Sequence, residues 1–366
     1  MKEFLNLEVA ASLGAAVAAS GYALDQTLYM DSVKPDYEAL AVKARAFRIA
    51  AGFKASLPDD FKTALAILIK SLPAPFETED NIANNGFRFW PIASFIEAYG
   101  LEDLEASLQG MHSVTQRFSA EFAIRPFLQR YPHEVFDRLQ TWSTDESLHV
   151  RRLVSEGTRP RLPWGARLPV YLEAPTDIMS ILNVLRKDPE LYVRRSVANH
   201  LNDLTKDHPE LVLDIVDGWK KEGDAHTDWV IKHALRSLIK AGNPRALKLM
   251  GFEPAEVAVK EFTVSPPEIA LGDSVDMNLS IQNKDKKEAS FAVDFVVHYM
   301  KSNGKTAPKV FKWAAPTLKA GETISFTKKL LLVHRTTRKL YPGEHRIEVQ
   351  INGERYAEQG FVLGGF

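Results

Sequence analysis

The 366-residue chain has no cysteine, which excludes a disulfide framework and any thiolate metal site. It also lacks an apolar run long enough to cross a bilayer. Its most hydrophobic N-terminal stretch, Val9 to Ala19, is rich in alanine, follows Glu3 and Glu8, and falls short of the roughly 20 residues a span requires. A buried helix is expected there rather than a leader, and no membrane partner is expected. Charge of one sign is not in excess: 46 Lys and Arg face 47 Asp and Glu, so binding a polyanion would require cations gathered on one surface. Signatures of common chemistries are missing as well. There is no G-x-S-x-G and no H-E-x-x-H, and Gly304-Lys305-Thr306 has Tyr299 where a phosphate-binding loop needs its first glycine, so it reads as a hairpin turn. His226 and His233, seven apart, have no third ligand nearby, and neither a metal nor a cofactor is expected.

What is present is patterned in two ways. Apolar residues at three- and four-residue spacing predict helices over 37–51, 59–72, 91–99 and 101–108 and a long one over 111–130, with 73–85 as a loop. Past residue 121 a repeat sets the architecture. PHEVFDRLQTW (132–142) aligns without gaps on PELVLDIVDGW (209–219) at an offset of 77, and HVRRLVSEG (149–157) aligns on YVRRSVANH (192–200) at an offset of 43, with VIKHALRSL a further 37 on. Helix pairs recurring every ~40 residues are the mark of HEAT-type stacks. First helices are expected at 132–142, 176–186 and 209–219, and second helices at 148–156, 191–205 and 229–240. The second helices would carry Arg151, Arg152, Arg194, Arg195, Lys232 and Arg236 on or near one surface.

After Gly251 alternation and turn residues replace helical spacing, in EFTVSPPEIALGD, SVDMNLSIQN, ASFAVDFVVHYM, TISFTKKLLLVH and HRIEVQIN. Short strands at this spacing predict an immunoglobulin-like sandwich without an intersheet disulfide. The expected class is therefore multidomain: an all-α HEAT-like repeat solenoid over 1–253 followed by an all-β immunoglobulin-like sandwich over 254–366. The tail from residue 257 holds 16 Lys and Arg against 12 Asp and Glu, which leaves 30 against 35 before it. Basic turns such as HRTTRK, with Arg335 and Arg338, are candidates for holding a polyanion against the acidic repeats.

The stretch RRLVSEGTRPRLPW (151–164) concentrates the chemistry. Arg151, Arg152, Arg159 and Arg161 surround Glu156, and Trp164 closes a proline-studded loop after Gly157, a residue that tolerates the left-handed backbone ending many helices. A solvated inter-repeat loop with a core-filling tryptophan would have the same composition. Glu121 in the preceding helix and Asp203 beyond VRRSVANH could converge with Glu156, making a negative spot within a positive surface. Such a spot suits a cationic ligand carried on a polyanion.

QRFSAEFAIRPFL (116–128), SEGTRPRLPW (155–164) and SILNVLRKDPELYVRRSVANHLND (180–203), three ungapped blocks in order, resemble the AlkC DNA glycosylases, relatives of AlkD built from HEAT-like repeats. The resemblance implies excision of cationic N-alkylated bases, 3-methyladenine and in the AlkC branch 3-methylcytosine, from double-stranded DNA, without deep base flipping, metal or cofactor. Carried over by motif, Glu121, Glu156 and Asp203 are the acids about the lesion and Trp164 an aromatic wall against sugar or base. Arg152 and Arg159 are implied as phosphate clamps; Arg161 and Arg194, and from the charge of the HRTTRK turn Arg335 and Arg338, are expected as further DNA contacts. A monomeric, cytoplasmic protein of bacterial type acting at the nucleoid is expected. The residues by themselves also fit a non-enzymatic repeat adaptor that binds protein or undamaged DNA, or an RNA-binding repeat protein, though regular base-reading positions are missing.

Overall fold

The computed structural model describes residues 2–365, and its chain forms two compact units. The first takes the chain up to His208 together with Glu222–Ala234; the second takes Pro209–Lys221 and Leu235–Phe366. Among the described residues no helix is long and apolar enough to cross a membrane.

The first unit is all helical. Helix α1 (Leu7–Ala19) is capped by Asn6, which accepts the Val9 N–H at 2.9 Å, and it buries Ala10, Leu13, Gly14 and Val17. Then come α2 (Gln26–Val33), α3 (Val42–Ser56) and α4 (Phe61–Lys70). The helix expected from residue 37 begins only at Val42, because Tyr37 is drawn into a 3-10 turn whose hydroxyl donates to the Leu5 carbonyl at 2.9 Å.

The expected loop 73–85 contains a helix, α5 (Glu79–Asn85), started by Thr78 and burying none of its residues. Helix α6 (Trp90–Tyr99) and α7 (Leu104–Thr115) follow. The long helix expected over 111–130 is broken: α7 stops at Thr115, residues 116–123 form turns, and α8 (Ile124–Arg130) restarts. At the break the Thr115 hydroxyl accepts the Ala120 N–H at 3.1 Å, a side-chain bond of the kind that competes with the helical ladder.

The repeat region holds α9 (Pro132–Trp142), α10 (Leu148–Gly157), the short α11 (Pro169–Glu173), α12 (Thr176–Leu185) and α13 (Leu191–Leu204). After α14 (Pro209–Lys220), which belongs to the second unit, α15 (Ala225–Ala234) completes the first. Helix α13 packs against α10 and α15, burying Val150, Leu153 and Val154 with Val193, Val197 and Leu201. Each such side chain contributes about 1.5–3 kcal/mol of hydrophobic stabilisation. The second helix expected over 229–240 is interrupted at Leu235, next to Ala234, whose carbonyl is taken by the buried Asn202 amide at 2.7 Å. Gly157 has no left-handed backbone and lies inside α10. It is required for close approach instead, since a Cβ there would stand 2.7 Å from Ile124 Cγ2.

The second unit adds α16 (Arg236–Lys240) and α17 (Pro244–Leu249) to an immunoglobulin-like sandwich. Its strands are β1 (Val257–Ser265), β2 (Glu268–Ala270), β3 (Ser274–Asn283), β4 (Ala289–Ser290), β5 (Val293–Met300), β6 (Thr306–Ala314), β7 (Thr317–Leu318), β8 (Thr323–Leu331), β9 (Gly343–Ile351) and β10 (Glu354–Gly364). One sheet runs β1-β3-β8, the other β2-β10-β9-β5-β6, and β4 pairs with β7. Strand β3 alternates strictly between buried and half-buried residues, which is why it was legible. Strands β6 and β10 were not, because β6 is an edge strand studded with lysine and proline and β10 exposes most of its first half.

Candidate active site

A cleft of about 370 Å³ opens in the first unit, and the break between α7 and α8 shapes it. The turns of 116–123 bring Phe118, Ser119, Glu121 and Phe122 to its wall, beside Phe87 and Trp90. These rings form one aromatic surface: Trp90 stacks on Phe118 at 5.7 Å and on Phe122 at 5.5 Å, and Phe87 meets Trp90 and Phe118 at steep angles. Phe118 and Phe122 are four apart, so in sequence they continue the helical spacing they actually interrupt. Glu79, Ile82 and Ala83 of α5 supply another wall, and Tyr192 of α13 and Trp164 complete the lining.

At one end of the cleft acids and bases alternate in a chain. Arg152 donates to Glu121 Oε2 at 2.5 Å and lies 3.5 Å from Glu156 Oε1; Arg159 donates to that same oxygen at 2.6 Å and through Nε to Asp203 at 2.9 Å; Lys206 approaches Asp203 at 3.3 Å. The second Glu156 oxygen accepts the Ser196 hydroxyl at 2.6 Å. Burial opposes the charge on Glu156, but Arg152, Arg159 and Ser196 outweigh it and hold its carboxyl below the usual carboxylate range. Burial likewise opposes the charge on Arg152, and Glu121 and Glu156 outweigh it, raising its pKa above the ordinary guanidinium value. The Arg152 guanidinium also lies 5.0 Å over the Tyr192 ring. Glu156 is thereby held as a carboxylate where water is scarce, a condition in which a charge acts strongly on a cationic neighbour.

The loop after α10 is held by a residue that sequence reasoning passed over. Arg125 donates to the carbonyls of Gly157, Arg159 and Ala166, each at 2.9 Å, and its burial brings its pKa down to about 10, which still leaves it charged at neutral pH. Within that clamp the Gly165 N–H closes a turn onto the Leu162 carbonyl at 3.1 Å, with Pro163 and Trp164 at its centre. Trp164 has φ 64°, a left-handed conformation normally reserved for glycine or asparagine. A bulky residue held there stores roughly 1–3 kcal/mol of strain, and here the result is a tryptophan side chain presented to the cleft with 56 % of its surface exposed.

The structure brings Glu121, Glu156, Arg152 and Trp164 together at the cleft, while Asp203 stands behind it, buried against Arg159 and Lys206. Arg152 and Arg159, expected as phosphate clamps, are instead engaged with the acids, and Arg159 is buried. Arg194 is buried too, donating to the Asp188 and Pro189 carbonyls, and Arg151 pairs with Asp188 at 2.6 Å. Arg161 is less enclosed and pairs with Asp207 at 2.7 Å. In the second unit Arg335 is exposed, whereas the Arg338 guanidinium lies 4.1 Å from the centre of the Tyr299 ring. Tyr192, Ser196 and the aromatic wall were missed as site residues. Tyr192 stood inside the quoted VRR block, and the spacing of Phe118 and Phe122 carried the only other signal.

Residues 117–238 match the family described as DNA alkylation repair enzyme, and residues 258–365 match the C-terminal Ig-like domain of the uncharacterised protein YhaZ. Over 356 residues the chain is 35 % identical to YhaZ of Bacillus subtilis (strain 168), covering 97 % of this chain and 96 % of that one. It is 38 % identical to the Pseudomonas fluorescens alkylpurine DNA glycosylase AlkC, solved bound to DNA containing an abasic site analog, with a TM-score of 0.92 over 100 % of this chain and 99 % of that one.

Proposed function

The chain belongs to the AlkC family of alkylpurine DNA glycosylases, and from that premise we propose that its cleft hydrolyses the N-glycosidic bond of cationic N-alkylated bases in duplex DNA, 3-methyladenine and 3-methylcytosine among them. The observation that carries this reading is the alternating chain from Glu121 to Asp203 ending at an aromatic-walled cleft.

A base alkylated on a ring nitrogen carries a positive charge that already weakens its bond to C1′. When that bond breaks, its electron pair returns to the base, which leaves neutral, and the deoxyribose gains oxocarbenium character. Glu121 and Glu156, at the cleft, stabilise that cation; water then adds at C1′ and gives up a proton to solvent. Arg152 and Arg159 position the acids, and Asp203 in turn positions Arg159. Trp164 lies against the sugar or base from an open cleft, which suits excision without deep base flipping. Arg335, which is exposed, and Arg161, which is half-buried and paired with Asp207, are proposed as phosphate contacts. The proposed working form is a monomer acting on chromosomal DNA in the cytoplasm.

The test is release of free base from duplex DNA treated with a methylating agent, followed by chromatography of the released bases. Release of 3-methyladenine, abolished in a Glu121→Gln, Glu156→Gln double variant, is the expected outcome. Tight binding of undamaged duplex with no base released would identify an adaptor instead.

A further inference from the structure

The cleft has a third carboxylate that the acid–arginine chain does not include. Glu79 is the first residue of α5, the helix absent from the sequence reading, and lines the cleft with Ile82 and Ala83 beside Phe87 and Trp90. The side chains of Glu121 and Glu156 are 15 % and 7 % exposed and their charges are committed to the half-buried Arg152 and the buried Arg159. The Glu79 side chain is 40 % exposed, and its ion-pair partner, Arg195, is itself 48 % exposed at 2.6 Å. A pair so open to water is weak and easily exchanged. Glu79 shares the cleft with Tyr192, whose pKa is raised chiefly by burial, with Glu79 a smaller contribution in the same direction.

Building on the glycosylase reading above, we propose that Glu79 is the residue that selects substrates by the charge of the base. A cationic heteroaromatic ring offers a face to the aromatic wall and a positive edge to a carboxylate, whereas a neutral base of the same shape gains only the first contact. The two acids at the Arg152 end act on the sugar; Glu79, on a separate element, acts on the base. Its pairing with Arg195 fits this division. A phosphate of the bound duplex competes for Arg195 and uncovers the Glu79 charge, so the carboxylate is quenched in the free protein and exposed in the complex.

Three measurements on the full chain test this. In the first, Glu79→Gln lowers single-turnover excision of 3-methyladenine about tenfold, the scale of one partly screened charge pair. In the second, affinity for a duplex carrying a cationic pyrrolidine in place of the abasic sugar stays within about twofold of wild type, because no base is present to sense. In the third, wild type binds a duplex with 2′-fluorinated 7-methylguanine, whose glycosidic bond resists hydrolysis, more tightly than the unmethylated duplex, and Glu79→Gln removes most of that preference. Arg195→Gln, which keeps the Glu79 charge but loses the proposed phosphate contact, weakens binding of methylated and unmethylated duplexes alike and keeps the preference between them. Unchanged excision in Glu79→Gln, an equal loss of pyrrolidine binding, or an equal loss of the preference in Arg195→Gln overturns the proposal. A wild type that releases no base refutes the glycosylase reading alone, since the fluorinated duplex still reports whether Glu79 senses charge.

Discussion

Replacing Glu156 by glutamine keeps the size of the side chain and removes one charge from the centre of the chain. The Ser196 hydroxyl can still donate to the amide oxygen, but Arg152 and Arg159 then face a neutral group. An arginine left wholly unpaired in the interior costs about 3–5 kcal/mol. That limit is not reached, because Arg152 keeps Glu121 at 2.5 Å and Arg159 keeps Asp203 at 2.9 Å. The loss is closer to that of charge-assisted hydrogen bonds, about 2 kcal/mol, and lowers the melting temperature of a unit this size by roughly 4–8 °C. With a typical stability of about 5–15 kcal/mol the variant remains folded at 25 °C, so any fall in rate belongs to the chemistry. Removing one preorganised charge opposite a developing cation slows the step about 10²-fold. The assay is single-turnover base release at saturating enzyme, paired with binding of two abasic duplexes. A neutral tetrahydrofuran site is bound equally or more tightly, because repulsion from phosphate falls, and a cationic pyrrolidine is bound more weakly. Full excision together with the lowered melting temperature would make Glu156 a structural residue and refute the mechanism.

Arg159→Ala lowers thermal stability but leaves the salt dependence of DNA binding unchanged, since its guanidinium is buried between Glu156 and Asp203; Arg161→Ala makes the log–log slope shallower by about 0.9, one phosphate contact, and the reverse pattern would restore Arg159 as a clamp. Arg125→Lys replaces a planar fork, whose Nε and Nη1 reach separate carbonyls, by a single ammonium nitrogen on a different stem, so limited proteolysis should cut within 158–166 and excision should fall, while protection equal to wild type would show that the loop holds itself. His149 and His200 are kept neutral by burial, with pKa values about 4. Between pH 6.5 and 4 the unfolded chain binds protons that the folded chain does not, so stability falls as pH falls across that window, by roughly 1 kcal/mol per pH unit for each histidine. Glu156, whose pKa is depressed, contributes stability above the unfolded carboxylate value and loses it as pH falls through the lower folded value, and chemical denaturation at stepped pH reads both. A flat profile between pH 6 and 4.5 would refute the assignment of buried neutral histidines.

Residues that repeat or alternate were legible: the VRR blocks located α10 and α13, and the strict alternation of SVDMNLSIQN located β3. Where an element buries nothing, no periodicity betrays it. Helix α5 has no buried residue and read as loop, yet it supplies a wall of the cleft. Where aromatic residues keep helical spacing for another purpose, the pattern misleads, as at Phe118 and Phe122, which pack on Trp90 from a turn. The acids were recognised as a group because their motifs were local. The roles of the arginines were not, because besides the nearby Glu156 each is engaged by a distant acid, Arg159 by Asp203 44 residues away and Arg152 by Glu121 31 residues away. Composition does not distinguish a cation saved for phosphate from one consumed by such a distant carboxylate.

The chain Glu121–Arg152–Glu156–Arg159–Asp203 also bears on how this protein can change over generations. Altering one link alone leaves its neighbours with one partner fewer, and guanidinium groups do not escape by giving up a proton. Each single substitution therefore costs stability that a compensating change, one in α10 or the loop after it and one in a segment dozens of residues distant, can return. Single-step drift is slowed at these five positions while neighbouring surface positions stay free to wander. A mutational library selected for repair in cells exposed to a methylating agent would show this as double changes at Arg159 and Asp203 enriched over the product of the two single changes.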